Sequence, residues 1–542
     1  MALTVTRPNY WTITLDSDQI TQYKFKYVIF VKIGGALQIT LRQSRNLQGS
    51  AHFNIEKIVK NYFNITHKHA NTITGSIDYD SIHLMPQNTT DQGTPPSVSI
   101  KDYPISKNNK DLITFTFECY EEYSTTADGT PVLQTPATVV SYPFINYANE
   151  WEDLMNFEKD LFAFDSPNKG RFLTLLPYDT SQNNATANKI PHLTSYNDYK
   201  TFAWLNSEDI FGTEQGYLVY SFFDEVPIFE EINGNFYPTN YVGKVRVKNE
   251  NAGLVANGGV NPVLANSDDE YLLYAGVGGA NVKNIKYGNY GGYQLLESSN
   301  VKYYTIYYSD TSEDSKSYTQ GADIKQGDRI TIVDAGGGGA GEIDYTSIGA
   351  ANNTAGTSFY ATGSTTGTGS YDKKFTQLRS KIYMFEIASE NNCNTTRFDE
   401  YTLAWKNKYG VWDYYMFDGE HTDVRNYTRE DDYERIAGDY SAESFTINSY
   451  ERGKVQKIEG VKQTTINTRY ITDEYNDYFN GLLMSNEVML LSPIKKGDDD
   501  VKQVPIPVNI VDTSITYKTN LKDKLVQYSF TFEYAHKLKK VY

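Results

Sequence analysis

Side chains suited to nucleophilic, acid–base or soft-metal chemistry are scarce in this 542-residue chain, which holds two cysteines, seven histidines and seven methionines. Cys119 and Cys393 lie far apart in sequence and define no disulfide framework, so free, mostly buried thiols are the expectation. The seven histidines leave little material for general bases or metal sites. Long apolar runs are missing as well. No window approaches the roughly 20 apolar residues of a membrane-spanning helix, and the opening MALTVTRPNY has no apolar signal-peptide core. Synthesis in the cytosol without membrane insertion is therefore expected. Without a secretion signal, the glycosylation-like triplets at Asn64, Asn184 and Asn426 carry no weight. Concentrated positive charge is also lacking: 50 Lys and Arg stand against 67 Asp and Glu, a formal charge of −17. A nucleic-acid backbone or anionic lipid would require a basic face, so neither is expected as a partner. Only the tail from His536 to Lys540 is locally basic, and it reads as a solvated end.

Aromatic side chains, by contrast, are abundant, with 46 tyrosines and 26 phenylalanines. Such a chain is too aromatic to stay disordered. Their spacing is the strongest structural signal. From Leu525 to Tyr534, Val526, Tyr528, Phe530, Phe532 and Tyr534 alternate with Gln527, Ser529, Thr531 and Glu533, the period of a half-buried strand. The balance favours an assembly or recognition protein over an enzyme. At roughly 150 residues per domain, a chain of this length predicts three or four domains.

Three stretches emerge along the chain. Residues 1–122 read as an N-terminal β domain with one helix: a strand from Tyr23 to Lys32, a turn at Gly34 and Gly35, and a returning strand with Leu37, Ile39 and Leu41 on one face. A helix is predicted over 53–63, with Asn54 as its cap and a stripe of Ile55, Ile58, Val59, Tyr62 and Phe63. A strand from Ile113 to Tyr120 closes this domain. Residues 123–378 read as a central β domain with long Gly/Ser/Asn-rich loops and strands beginning at Tyr217, Tyr271 and Val301; within it, 335–370 read as a flexible insertion or surface loop. Residues 379–542 read as a C-terminal β domain with one helix. There Tyr401–Trp405 and Val411–Phe417 form a hairpin, Thr472 caps a helix striped by Tyr475, Tyr478, Phe479 and Leu482, and the aromatic strand ends the chain. The fold class that follows is mainly β: several antiparallel β-sandwich-like domains with a few short helices.

Each candidate for chemistry meets a plainer alternative. Gly336, Gly338 and Gly341 satisfy a dinucleotide-type glycine spacing after an expected strand at 330–333, but no helical stripe follows to present amides to a pyrophosphate, so a glycine loop is the expectation. His67 and His69 have chelating spacing but no third ligand nearby. The acidic runs 267–270, 310–314 and 498–500 lack the Asp/Asn alternation, glycine and distal Glu of a calcium loop and read as solvated turns. Asp413 with Asp418, or Glu430 with Glu434, have the residue types for glycoside hydrolysis, but acidic residues are too common here for sequence to select a pair. Trp405, Trp412 and Tyr414 have the rings to stack on a sugar or partner, while for Trp405 and Trp412, which flank a hairpin turn, burial in the sheet is the expectation. No catalytic, cofactor-binding or metal-binding residue is assigned.

The order of elements resembles a family of bacteriophage tail and baseplate structural proteins. The resemblance rests on the first hairpin, the FNIEKIVKNYF segment starting at Phe53, the strand running into Glu121, Glu122 and Tyr123, and GRFLTLLP from Gly170. It continues in WKNKYGVWDYYMF from Trp405, VNIVDTS from Val508 and the terminal TFEYA, with weaker likeness at YAGVGGAN from Tyr274 and at Tyr303–Ile306. It covers both ends, about half the chain. It implies a non-enzymatic virion tail component that mediates tail assembly, with other tail or baseplate proteins as partners and a homo-oligomeric state. A receptor-binding or host-glycan-binding tail protein is the alternative.

Overall fold

The computed structural model describes residues 3–63, 105–107, 112–148, 171–178, 190–195, 198, 200–206, 217–241, 243–248, 271–282, 301–319, 329–332, 343–344, 357–360, 370–378, 380–388, 400–430, 438–440, 445–447, 457–491, 505–512, 514, 525–535 and 538–541. The protein is mainly β, with several antiparallel sheets and few, short helices. It divides into two compact units, one of Met1–Ser389 with Asn407–Trp412, the other of Glu390–Lys406 with Asp413–Tyr542.

In the first unit, Thr4–Asn9, Thr12–Asp16 and Ala51–Asn54 make a three-stranded sheet. A five-stranded sheet runs from Ala36–Gln43 through Tyr23–Ile33 to Leu112–Ser124, which also pairs with Val132–Leu133 and Thr138–Ile145. Gly34 and Gly35 both take positive φ, as a two-residue turn matched to the twist of its strands requires. Alternation sends Tyr27, Ile29 and Val31, and Phe115, Phe117 and Cys119, into one core shared with Ile13, Leu15 and Phe53 of the smaller sheet. Tyr10 seals that core edge-on against Trp11, Phe144 and Tyr147, and its hydroxyl accepts the Ile145 amide at 2.8 Å.

The expected helix at 53–63 is shorter than its stripe. Phe53 sits in a strand paired with Ile13, and only Glu56–Lys60 is helical. Ladder hydrogen bonds to Thr12–Asp16 outweigh local helix propensity there. Ile55 and Val59 still bury, and Asn54 Oδ1 accepts the Glu56 amide at 3.0 Å.

A seven-stranded sheet in the same unit orders His192–Ser195, Tyr383–Ala388, Tyr303–Thr319, Tyr217–Phe223 and Gly243–Lys248, with Ser370–Leu378 and Ile343–Asp344 attached. A four-stranded sheet orders Arg171–Phe172, Thr201–Asn206, Tyr271–Gly276 and Ile105–Lys107. Two findings correct the sequence reading. The run 310–314 is not a turn but part of the strand Tyr303–Thr319, with Glu313 and Asp314 paired to Thr376 and Phe375, because a long partner strand satisfies its backbone. Within 335–370, expected to be loop, Ile343–Asp344 and Thr357–Tyr360 are strands, the latter paired with Arg329–Ile332.

The second unit is built on an eight-stranded sheet ordered Trp412–Phe417, Tyr401–Lys406, Val488–Leu491, Pro505–Ile510, Ser529–Tyr534, Lys457–Asn467 and His421–Glu430, with Leu538–Val541 also on Lys457–Asn467. The terminal alternation holds: Val526, Tyr528, Phe530 and Phe532 are buried. The strand pauses at Gln527, where Thr468 and Tyr528 exchange hydrogen bonds of 2.9 Å. Helix Tyr475–Met484 covers this sheet through its predicted stripe, with Phe479 5.0 Å from the rings of both Tyr415 and Phe530. Thr472 does not cap it: that residue ends a short strand and its buried hydroxyl has no hydrogen-bond partner, while Glu474 takes the cap position.

Candidate functional site

A buried polar cluster lies in the first unit, where His192–Ser195 runs parallel to Tyr383–Ala388. Lys200 is 2% exposed and Asp198 6%. The ammonium donates to the Leu193 carbonyl at 2.8 Å and meets Asp198 Oδ2 at 3.0 Å, and the same carboxylate oxygen accepts the Ser195 amide at 3.1 Å. A buried charge is tolerable only when paired and hydrogen-bonded, and this pair meets that condition while closing the turn from Ser195 to Lys200. The chain from Tyr274 then lies across the turn. The Val277 and Gly278 amides donate to the Lys200 carbonyl, and the Gly279 amide donates to Thr194 Oγ1 at 3.1 Å. Gly278 is needed for this approach, because a Cβ there would fall 2.1 Å from the Asp198 carbonyl oxygen. Tyr220 and Tyr304 donate to the Gly276 and Val277 carbonyls from below.

His192 sits beside this turn among Phe202, Tyr383 and Phe385, and its Nε2–H donates to the Leu176 carbonyl at 3.1 Å. Burial, with a smaller contribution from the Lys200 charge, pushes its pKa down to about 4, so the ring is neutral at pH 7. Leu176 has φ +62°, a conformation costly for a residue with a Cβ, and the imidazole holds its carbonyl. The groups of this cluster bind the protein's own backbone and fix loops.

In the second unit Asp418 accepts both Nε and Nη2 of Arg469 on one oxygen, at 2.9 and 2.8 Å. Asp413 is buried on its strand. Trp405, Trp412 and Tyr414 are buried too, so none presents a ring face for stacking. Trp405 Nε1 lies 3.4 Å from where a Cβ on Gly481 would be, which fits a helix drawn close to the sheet.

Gly336, Gly338, Gly341, His67, His69, Glu434 and the acidic runs 267–270 and 498–500 lie outside the described residues, and Glu430 ends the strand His421–Glu430. Among the described residues no group of three or more His, Cys, Asp and Glu side chains is placed to hold a metal ion, and no helix is long and apolar enough to cross a membrane. Cys119 is a buried free thiol, as expected, with its pKa pushed up to about 12 by burial.

Apolar and aromatic side chains stay exposed on two edge strands. Leu37, 53% exposed, and Ile39 lie on Ala36–Gln43 at one edge of the five-stranded sheet. Val424, 44% exposed, and Tyr427, 59% exposed, lie on His421–Glu430 at one edge of the eight-stranded sheet. Sequence reasoning did not single out His192, Asp198, Lys200 or the edge carrying Val424 and Tyr427; it placed Leu37 and Ile39 together on one face of their strand without marking that face as exposed, and it held Gly278 only within YAGVGGAN. The signals present, an Asp-x-Lys in a polar stretch and a strand with few bulky residues, are too common to select them.

No family model matches the chain, and no curated protein matches it. Among solved structures, a Salmonella alpha-2-macroglobulin aligns at 10% identity with a TM-score of 0.10, over 85% of this chain and 31% of that one. A superposition that poor carries no argument about fold or activity.

Proposed function

We propose that the chain is a non-enzymatic structural subunit of a bacteriophage virion tail or baseplate, mediating tail assembly and attachment of neighbouring subunits. One observation carries the assembly part of this reading: both units close their interiors with aromatic rings, yet leave Leu37, Ile39, Val424 and Tyr427 exposed on edge strands. Edge strands are places where proteins guard against pairing, and apolar residues left there suit contact with another chain. The buried ionisable groups at His192, Asp198, Lys200 and Asp418 hold loops and strands, which suits a rigid block that does no turnover. The sequence resemblance to tail and baseplate proteins supplies the setting, and repetition in a symmetric particle would multiply weak edge contacts.

The test is twofold. Light scattering of the purified protein, alone and with neighbouring tail proteins, is expected to show self-association or stable hetero-complexes. Incubation with host capsular or cell-wall polysaccharide is expected to release no reducing ends. A monomer that binds no tail protein and releases sugars would replace this reading with a polysaccharide-cleaving one.

A further inference from the structure

The strand His421–Glu430 ends its sheet and, among the described residues, pairs only with Lys457–Asn467, in unbroken register from His421↔Ile466 to Glu430↔Lys457. Thr422 to Thr428 are exposed, so the strand is open on both faces as well as along its edge. Of the usual guards against edge pairing it keeps only charged side chains. It is 10 residues long, and it contains no proline, no lysine and no bulge. At the opposite end of the same sheet order, Trp412–Phe417 is buried throughout.

The order of side chains along this edge is self-complementary. A two-fold axis perpendicular to the sheet keeps each residue on its own face, so an antiparallel copy can shift only in steps of two residues. Two such registers pair nearly the whole strand. The one centred on Arg425 sets Arg425 against itself and Asp423 against Tyr427. The one centred on Asn426 sets Arg425 opposite Tyr427 and Val424 opposite Thr428, each twice by symmetry. The second register gives a cation facing an aromatic ring and a β-branched pair at directly opposed positions, where the first sets two arginines against each other. Within its own sheet Arg425 stands opposite Lys462, whose ammonium is bound 2.9 Å from Asp423, and Arg425 has no ion pair among the described residues.

We infer that His421–Glu430 is a homotypic contact, pairing antiparallel with the same strand of a second copy in the register centred on Asn426 and so continuing the eight-stranded sheet from one subunit into the next. This deepens the assembly reading and rests on it: the backbone edge supplies affinity, and the alternating Arg and Tyr supply register and choice of partner.

The experiment is substitution at the two opposed positions of the full chain, read by sedimentation or light scattering across concentration. Tyr427→Arg alone sets two arginines in opposition, and Arg425→Glu alone replaces the cation facing Tyr427 by an anion; each is expected to weaken self-association about tenfold or more. The double variant sets a glutamate opposite an arginine within one chain and is expected to regain wild-type association. An equimolar mixture of the two single variants, which keeps Arg425 opposite Tyr427 at one contact and sets a glutamate opposite an arginine at the other, is expected to form a heterodimer as tight as wild type, which no misfolded variant would do. Single variants that associate like wild type, or that weaken association with no recovery in the mixture, would overturn the strand pairing while leaving assembly through another surface intact. A wild-type chain that stays monomeric at every concentration would overturn the pairing too; the tail-assembly reading would then stand or fall on binding to other tail proteins.

Discussion

Acidification should loosen the first unit through one residue, His192. Its imidazole is buried among three aromatic rings, and its folded pKa is depressed to about 4 from an ordinary value near 6.5. A depressed histidine pKa means the unfolded chain binds the proton more tightly. The stabilising contribution of the neutral ring is therefore fully present above about pH 6.5, is lost progressively as pH falls through that window, and is gone below about pH 4. At 1.36 kcal/mol per pKa unit, the shift amounts to roughly 3 kcal/mol between the two limits. His192→Gln keeps a side-chain N–H able to reach the Leu176 carbonyl but cannot titrate. It should be less stable than wild type at pH 8, from lost ring packing, and flatter between pH 6.5 and 4.5. The assay is pulse-labelled hydrogen exchange in urea at each pH, following peptides that contain His192–Ser195 and Tyr383–Ala388, since local opening can be read without assuming a two-state transition for the whole chain. Carboxylates with lowered pKa values, Glu118 held by Lys32 and Asp423 bonded to Thr464 and Lys462, lose their contributions at more acidic pH and are common to both proteins. Equal pH slopes for wild type and variant would refute the assignment of a buried neutral imidazole.

Two further outcomes follow from packing. Gly278→Ala would drive a methyl group into the Asp198 carbonyl and the Lys200 amide, and should cost the first unit about 1–3 kcal/mol, measured as a lowered urea midpoint for peptides containing 271–282. Cys119, buried with a thiol pKa near 12, should resist iodoacetamide at pH 8 in the native protein and react fully in urea, as read by peptide mass mapping; rapid native labelling would show that the core of the five-stranded sheet opens.

Strands whose apolar residues alternate against one continuous core were legible in the sequence. Tyr528, Phe530 and Phe532 bury as their spacing requires, and Tyr475, Tyr478, Phe479 and Leu482 form the inward stripe of the helix Tyr475–Met484. Sequence reasoning failed where a distant partner decides. Phe53 opens the segment expected to be helical but joins a strand because Thr12–Asp16 offers it a ladder, and 310–314 looks like a solvated turn until Ser370–Leu378 pairs with it. The polar cluster was illegible for the same reason: nothing local marks Asp198, Lys200 or Gly278, which acquire meaning only when the segment after Tyr274 lies across the turn. The open edge at His421–Glu430 was hidden differently, since only its pairing on one side alone makes its charge order relevant.

The central claim is that this chain is built into a virion tail. Immunogold electron microscopy tests it most directly, using antibodies raised against the purified protein and particles produced from the genome that encodes it. The account predicts gold at a fixed position on the tail or baseplate of intact particles, with the chain retained through density-gradient purification. Particles free of the chain, with all of it left in the unassembled fraction of the lysate, would contradict the account.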